Sequence, residues 1–302
     1  MLERKAKEFV SLIGDKGLHV EAFAIADEKK VLLEYDFIPT RARNIYSHTK
    51  SFTSTAIGIA ISEGKLSLDD KLADYFPEKL PQNPSPELLN ITLRHLLMMS
   101  SGFDKGMLFE DDRRSGAGFP DYTYYVLSQP VQVQPGSKFC YSNADTHMAA
   151  KMLEKAVGMT LCSYLYERMF RPLEMGLPAW DCDPEGSTFG ASGLRLTLAQ
   201  MMKLGRLFLN GGMWNGERIV DAAWVKEATG YQIATPINEP WSDGYGYQWW
   251  RSPYPDSYRA DGAYGQITTV LPKSGLVVSI QCPEHGNFGD VLPLLHEFLA
   301  TL

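Results

Sequence analysis

Nowhere in its 302 residues does the chain run apolar for the roughly 18 positions that a membrane-spanning helix needs, so no span is expected. The opening stretch, MLERKAKEFVSLIGDKGL, also lacks the apolar centre and small-residue cleavage site of a secretory leader. The expected location is therefore the cytoplasm. Cysteine is scarce: Cys140, Cys162, Cys182 and Cys282 are all there are, with no C-x-x-C pair. A disulfide-stapled scaffold is excluded and buried thiols are expected. The six histidines, His19, His48, His95, His147, His285 and His296, form neither H-E-x-x-H nor H-x-H, so no metal site is expected. Runs of lysine and arginine are missing and the net charge is −7, which argues against a nucleic-acid or anionic-membrane surface. G-x-x-x-x-G-K-[ST], G-x-G-x-x-G and G-x-S-x-G are absent too, removing the usual nucleotide cradles and the α/β-hydrolase nucleophile elbow. No internal repeat or low-complexity tract stands out.

What remains is an ordinary globular composition, 44% hydrophobic and 22% charged, at a length where one core stops growing and a second lobe forms. Residues 2–13 read as a helix with Phe9, Val10 and Leu12 on one side. VEAFAIAD and KVLLEYDF read as a strand hairpin. A helix then begins in YSHTKSFTSTAIGIAISEGKL, apolar on nearly every face and so buried, and Gly64 ends it. Helices are expected in TLRHLLMMSSG, NADTHMAAKMLEKAVGM, CSYLYERMFRPLEM, TLAQMMKLGRLFLNGG (with Thr197 as N-cap) and DAAWVKEATG. Residues 105–134 read as irregular and long enough for a lid or rim. GYGYQWWRS, YGQITTVLP and GLVVSIQCP read as strands, and a last helix runs from about Gly289 to Leu299. The expected class is α/β (α+β): an antiparallel sheet built from both chain ends and flanked by the terminal helices, plus a large mostly helical lobe. Residues 1–45 with 232–302 would form the sheet lobe and 46–231 the helical lobe, with a ligand in the crevice between them.

Two Ser-x-x-Lys matches occur, Ser47/Lys50 and Ser62/Lys65. On a helix, residues three apart share a face, so Ser Oγ and Lys Nζ can meet. A serine hydroxyl needs a base to become a nucleophile, and a lysine is that base only when burial keeps it neutral. The free N–H groups at a helix start also favour the anion that develops in acyl transfer. Ser62/Lys65 straddles the end of its helix, where Lys65 reads as a charge complementing the dipole. Ser47/Lys50 opens a buried helix, where an unpaired lysine is out of place.

A second element is PGSKFCYSNADTH, which holds the only Tyr-x-Asn of the chain, Tyr141-Ser142-Asn143, on a loop leading into a helix. A phenol beside an ammonium loses its proton more readily and can shuttle it between a serine and a leaving group. Asn143 offers an amide to orient Lys50 or meet a substrate carbonyl; equally, it fits a plain helix cap.

In this order, Ser-x-x-Lys, Tyr-x-Asn and a late glycine-containing strand resemble the serine β-lactamase/penicillin-binding-protein superfamily. The likeness is closer to class C β-lactamases and the related esterases and 6-aminohexanoate-dimer hydrolases. Further stretches are similar to that family's blocks: ITLRHLLMMSSG, GASGLRLTLAQMMKLGRLFLNGG and DGAYGQITTVLPKSGLVVSI. The resemblance implies a β-lactamase/transpeptidase-like fold. It implies Ser47 as the acylated nucleophile, Lys50 and Tyr141 as proton-transfer partners and Asn143 as a positioning residue. The family's third motif, Lys/His-Thr/Ser-Gly, is matched here by Ala260-Asp261-Gly262, so its cation and hydroxyl are missing. Gly262 keeps the close backbone approach, and the N–H of Ala263 joins that of Ser47 as oxyanion donor. Arg259, as a strand neighbour of Ala260, points to the opposite face. The class A signature Glu-x-x-Leu-Asn is also absent; PELLN at 86–90 carries its glutamate one place late.

The expected function is a serine hydrolase acting through an acyl-enzyme on a small ester or amide. The alternatives are a β-lactamase or D-amino-acid peptidase, and a ligand-sensing module without turnover. A small-molecule substrate is expected, with no cofactor, metal, nucleic acid or membrane partner, and no oligomeric state is set by the sequence. Aromatics crowd Phe103 to Tyr125 and Trp241 to Tyr258. Tyr245, Tyr247 and Trp249 alternate and so would share one sheet face.

Overall fold

The computed structural model describes residues 1–236, 242–286 and 291–302. Six antiparallel strands form the main sheet: β1 (Ala22–Ala26), β2 (Val31–Asp36), β3 (Trp250–Arg251), β4 (Tyr258–Gly262), β5 (Gln266–Leu271) and β6 (Leu276–Gln281). Their spatial order is β2-β1-β6-β5-β4-β3, so the two chain ends meet where Phe23 pairs with Ile280 and Ile25 with Val278. The expected mixed fold, with a sheet assembled from both termini, is what the chain forms.

Alternation along β1 separates the two sides of this sheet. Phe23 and Ile25 face helix α1 (Leu2–Asp15) and the C-terminal helix (Val291–Leu299), where Phe9 stacks on Phe298 with centroids 4.6 Å apart. Ala22, Ala24 and Ala26 face the other way, toward a larger core. Their small side chains leave room for the Leu198–Leu209 helix to lie close on the sheet; a Cβ at Gly205 would stand 2.5 Å from Val277 Cγ1. The apolar stripe of α1 is Ala6, Phe9 and Ile13, with Val10 partly buried against the same cluster; of the expected residues only Leu12 is exposed, because the helical period carries it to the outer side.

Helix α2 (Thr49–Ser62) is buried from Thr49 to Ala60, as its all-round apolar pattern requires. Its β-branched threonines and isoleucines are not strong helix formers, so burial rather than propensity holds it. Most of its hydroxyls are satisfied by neighbours, although the buried Thr49 Oγ1 has no partner among the described residues. Ser51 Oγ donates to Gln248 O at 2.8 Å, Thr53 Oγ1 to Gly190 O at 2.7 Å and Ser54 Oγ to Tyr247 O at 2.7 Å. Two distant segments of the chain, one at Gly190 and one at Tyr247–Gln248, are thereby tied to the first two turns of one helix.

Three readings need correction. Residues 105–134 are not irregular throughout: Glu110–Arg114 and Tyr122–Leu127 are short helices. In GYGYQWWRS only Trp250 and Arg251 form a strand. Gln248 has φ +65, and its N–H donates to Leu97 O at 3.1 Å, which breaks the alternation. Tyr247 therefore stacks on Trp224 and Trp249 packs on Phe208 in the main core, while Tyr245 joins Phe139 in a separate cluster. Trp241 and Gly289 lie outside the described residues; the last helix is described from Val291.

Gly58 sits in mid-α2, where alanine normally favours a helix by about 1 kcal/mol. A Cβ there would come within 2.1 Å of the Trp224 ring. Overpacking should win, so Gly58→Ala is expected to destabilise the fold by about 1–3 kcal/mol in urea unfolding. A variant as stable as the parent would show that Trp224 does not fix this packing.

Candidate active site

Ser47 lies in a single 3-10 turn, Tyr46–His48, that runs straight into α2. Tyr46 adopts φ +47, a conformation that side chains rarely hold unless their surroundings impose it. Two constraints surround it. Gly262 of β4 lies so close that a Cβ would stand 2.1 Å from Ile45 O and 3.1 Å from His48 N. The buried ring of His48 reaches β5, with Nδ1 3.1 Å from Gln266 O. Burial lowers the His48 pKa to about 4, so the ring is neutral and its Nδ1–H donates to that carbonyl. Sheet and turn are thus pinned together on both sides of Ser47, and Ala263 follows directly on Gly262.

Lys50, one helical turn into the buried segment, is 1% exposed. Its Nζ lies 3.1 Å from Ser47 Oγ, 2.6 Å from Asn143 Oδ1 and 2.9 Å from Ala191 O. Burial, and secondarily the positive charge of Arg113, hold its pKa well below the ordinary lysine value. A neutral amine has two N–H donors and one lone pair. The amide oxygen of Asn143 and the carbonyl of Ala191 can only accept, so they take the two N–H bonds. The lone pair is left facing the Ser47 hydroxyl.

Each partner of Lys50 is itself held. Asn143 starts the Asn143–Val157 helix and donates from Nδ2 to Leu108 O at 3.1 Å, which fixes its oxygen toward Lys50. It is therefore not the cap that the sequence also allowed. The Ala191 carbonyl is placed by Gly190, whose own carbonyl accepts from Thr53, one turn beyond Lys50. A Cβ on Gly190 would stand 2.5 Å from Ala150 Cβ, so glycine lets this loop fit closely between α2 and the Asn143–Val157 helix. A short ladder, Arg43–Asn44 against Arg195–Leu196, joins the same loop to the strand entering the Ser47 turn.

Tyr141 packs beside Trp250, rings 5.6 Å apart at 25°, with Lys50 Nζ 5.0 Å from the tyrosine ring centroid. Contrary to expectation, its phenol is not acidified. Desolvation raises its pKa, the nearby Ser47 side chain acts to lower it, the negative charge of Asp261 adds to the rise, and a neutral Lys50 supplies no compensating cation. Tyr141 therefore keeps its phenolic proton. Arg259, which faces away from Ala260, is spent on Asp261: Nε donates to Oδ2 at 2.9 Å, and the guanidinium lies over Trp250.

The second Ser-x-x-Lys does not assemble. Ser62 Oγ donates to Ile59 O at 2.7 Å, and Lys65 is exposed. Residue-by-residue reading missed Ala191, Leu108 and Arg113. The first two act through backbone carbonyls, which carry no side-chain signature; their signal was the small-residue run GASG and a loop of unusual length. Among the described residues no cluster of metal-ligating side chains occurs, no disulfide joins the four cysteines, and no helix is long and apolar enough to cross a membrane.

The β-lactamase family model matches residues 25–290, and the chain belongs to that family. It is 25% identical over 261 residues to the 6-aminohexanoate-dimer hydrolase of Paenarthrobacter ureafaciens, a match covering 76% of this chain and 64% of that protein's length. The fold is similar to that of the octameric penicillin-binding protein homologue from Pyrococcus abyssi, with TM-score 0.77 at 19% identity over 99% of this chain and 77% of that one. It is also similar to EstCE1, a hydrolase with promiscuous acyltransferase activity, with TM-score 0.74 at 16% identity over 93% of both chains.

Behind Asn143, the fully buried Asp145 accepts from Ser101 Oγ at 2.8 Å, while its Oδ2 has no partner among the described residues. Burial pushes its pKa up from 3.8 to about 7. The folded protein therefore keeps a proton there that the unfolded chain has released. This group's contribution to stability should fall as pH rises from about 4 through about 7, then level off. Asp145→Asn should gain on the parent by a few kcal/mol, to order of magnitude, between pH 5 and pH 8. Denaturant unfolding at both pH values reads this; a pH-independent difference would count against a buried neutral carboxyl.

Proposed function

We propose that the chain is a serine hydrolase that processes a small ester or amide through an acyl-enzyme on Ser47. The site would lie in a cleft between a sheet lobe (1–45 with 232–302) and a helical lobe (46–231). The observation that carries this reading is the Lys50 amine, whose two acceptor-only partners leave its lone pair for Ser47, 3.1 Å away. Lys50 takes the Ser47 proton as Oγ attacks the carbonyl carbon. The N–H groups of Ser47 and Ala263 hold the oxyanion, and Gly262 keeps the two close. Tyr141, still protonated, gives its proton to the departing alcohol or amine and recovers one from the Lys50 ammonium. Water then releases the acid. Asn143 holds Lys50 in place. Relatives named as a 6-aminohexanoate-dimer hydrolase and as a hydrolase with acyltransferase activity support acyl transfer to water. Asp261, standing where the family's hydroxyl residue would be, favours esters and amides over β-lactams.

Ser47→Ala should lower p-nitrophenyl ester turnover at least about a thousandfold, and a fluorophosphonate should label Ser47 alone. Labelling of another serine sinks the reading. Nitrocefin turnover as fast as that of the ester would move it to a β-lactamase.

Because the base is a lysine with lowered pKa, kcat/KM for a neutral ester should rise with pH as Lys50 deprotonates. It should reach its plateau well below the 10.5 of an ordinary lysine. A rising limb still incomplete at that value would exclude Lys50 as the base.

A further inference from the structure

Arg113 belongs to the short helix Glu110–Arg114, in the stretch that also sends Leu108 O to Asn143. Its guanidinium lies over the Phe189 ring, 4.3 Å from the centroid. Its one hydrogen bond among the described residues is a long one, Nη2 to Ser192 Oγ at 3.4 Å. Nε is buried with no partner. Ser192 follows Ala191, whose carbonyl holds Lys50, so Arg113 stands one residue from the group that sets the base.

Arg251 also has a buried Nε without a partner, though its Nη1 donates to Thr229 O at 3.2 Å; most other part-buried arginines are satisfied. Arg43 pairs with Glu21, Arg168 with Glu63, Arg195 with Asp181 and Arg259 with Asp261. Arg206 donates to backbone carbonyls instead. The acids near Arg113 are engaged elsewhere: Asp112 accepts from Phe109 N, and Glu110 pairs with Arg114. Behind Phe189, Asp183 is bound by His147 and Lys151. A guanidinium has five donors in a planar fork. Here most of them face no protein acceptor, beside a lysine that is itself neutral.

We propose that Arg113 receives a carboxylate carried by the substrate and so selects anionic esters or amides. The role of the missing third-motif cation then passes from the strand to the rim segment. A planar monoanion fits the fork in two-point contact. A dianion fits less well, because Glu110, Asp111 and Asp112 surround the site with negative charge. The inference rests on the acyl-transfer reading of Ser47.

Two matched pairs test it. Mono-p-nitrophenyl adipate against p-nitrophenyl hexanoate places a carboxylate on the acyl side; 4-acetoxybenzoate against phenyl acetate places it on the leaving group. The readout is the ratio of kcat/KM, anionic over neutral, in which any effect of Arg113 on Lys50 cancels. In at least one pair Arg113→Gln should lower this ratio about tenfold or more, and Arg113→Lys should restore part of it. Ratios unchanged in both pairs overturn the proposal. The unaltered enzyme gives an independent check: the monoamide of adipic acid should inhibit neutral-ester turnover more strongly than hexanamide does, and equal inhibition also overturns it. Turnover that survives in Ser47→Ala would defeat the acyl-transfer reading instead.

Discussion

Everything around the site follows from removing one amine from water. An ammonium buried without a carboxylate costs several kcal/mol, and Lys50 has none: its partners are an amide oxygen, a carbonyl and a hydroxyl. The charge gives way, and the neutral amine needs only two acceptors and one donor. That requirement decides where three pieces of chain must be. The Ser47 turn supplies the donor, the start of the Asn143–Val157 helix one acceptor, and the Gly190–Ser192 loop the other. The hydroxyls of α2 do the holding. Thr53 binds the glycine just before Ala191, while Ser51 and Ser54 anchor Gln248 and Tyr247. The hydroxyl-rich start of α2 is thus a set of short ties around one uncharged base.

The same low dielectric sets the phenol. Tyr141 shares its surroundings with Asp261 and Arg259, and because these two neutralise each other the local field stays small. Desolvation then dominates, and the proton stays on oxygen. A lysine in the position of Ala260 would have offered a mobile cation to phenol and substrate alike. An alanine there, with a self-paired Asp261 beside it, leaves the strand to contribute backbone. Gly262 remains necessary for that, because any side chain would strike the carbonyl of Ile45.

Much of this was legible in the residues. The Ser47/Lys50 pair, the Tyr141 loop and the sheet of terminal strands could be placed because each rests on local pattern: three-residue helical spacing, a turn before a helix, alternation in β1. The misreadings came where tertiary contacts overrode local pattern. The aromatic run Tyr245–Trp249 alternates in sequence, yet Gln248 is turned to φ +65 so that its backbone and side-chain amides can both reach the end of the Leu93–Leu97 helix. The acidified tyrosine was a reading of neighbours without burial: it assumed a charged Lys50, and the depth of Lys50 removes the charge. Contacts through main-chain oxygens, such as Ala191 and Leu108, leave nothing for a residue-type search to find.

A site built by desolvation has a consequence for stability as well as chemistry. Lys50 and His48, and Asp145 below about pH 7, sit in uncharged forms, and each would gain by ionising in an unfolded chain. Their protonation preferences oppose one another. Falling pH favours unfolding through the two bases, from about 10.5 downward for Lys50 and from about 6.5 to about 4 for His48, whereas rising pH favours it through the carboxyl, between about 4 and about 7. The fold withstands both because these groups lie against the largest continuous core in the molecule, where Phe52, Leu97 and Met148 exclude water from every side of the helices that bear them. Burying that core supplies roughly 1.5–3 kcal/mol per large apolar side chain, enough to offset three displaced titrations. A weaker core would admit water, and the amine would charge.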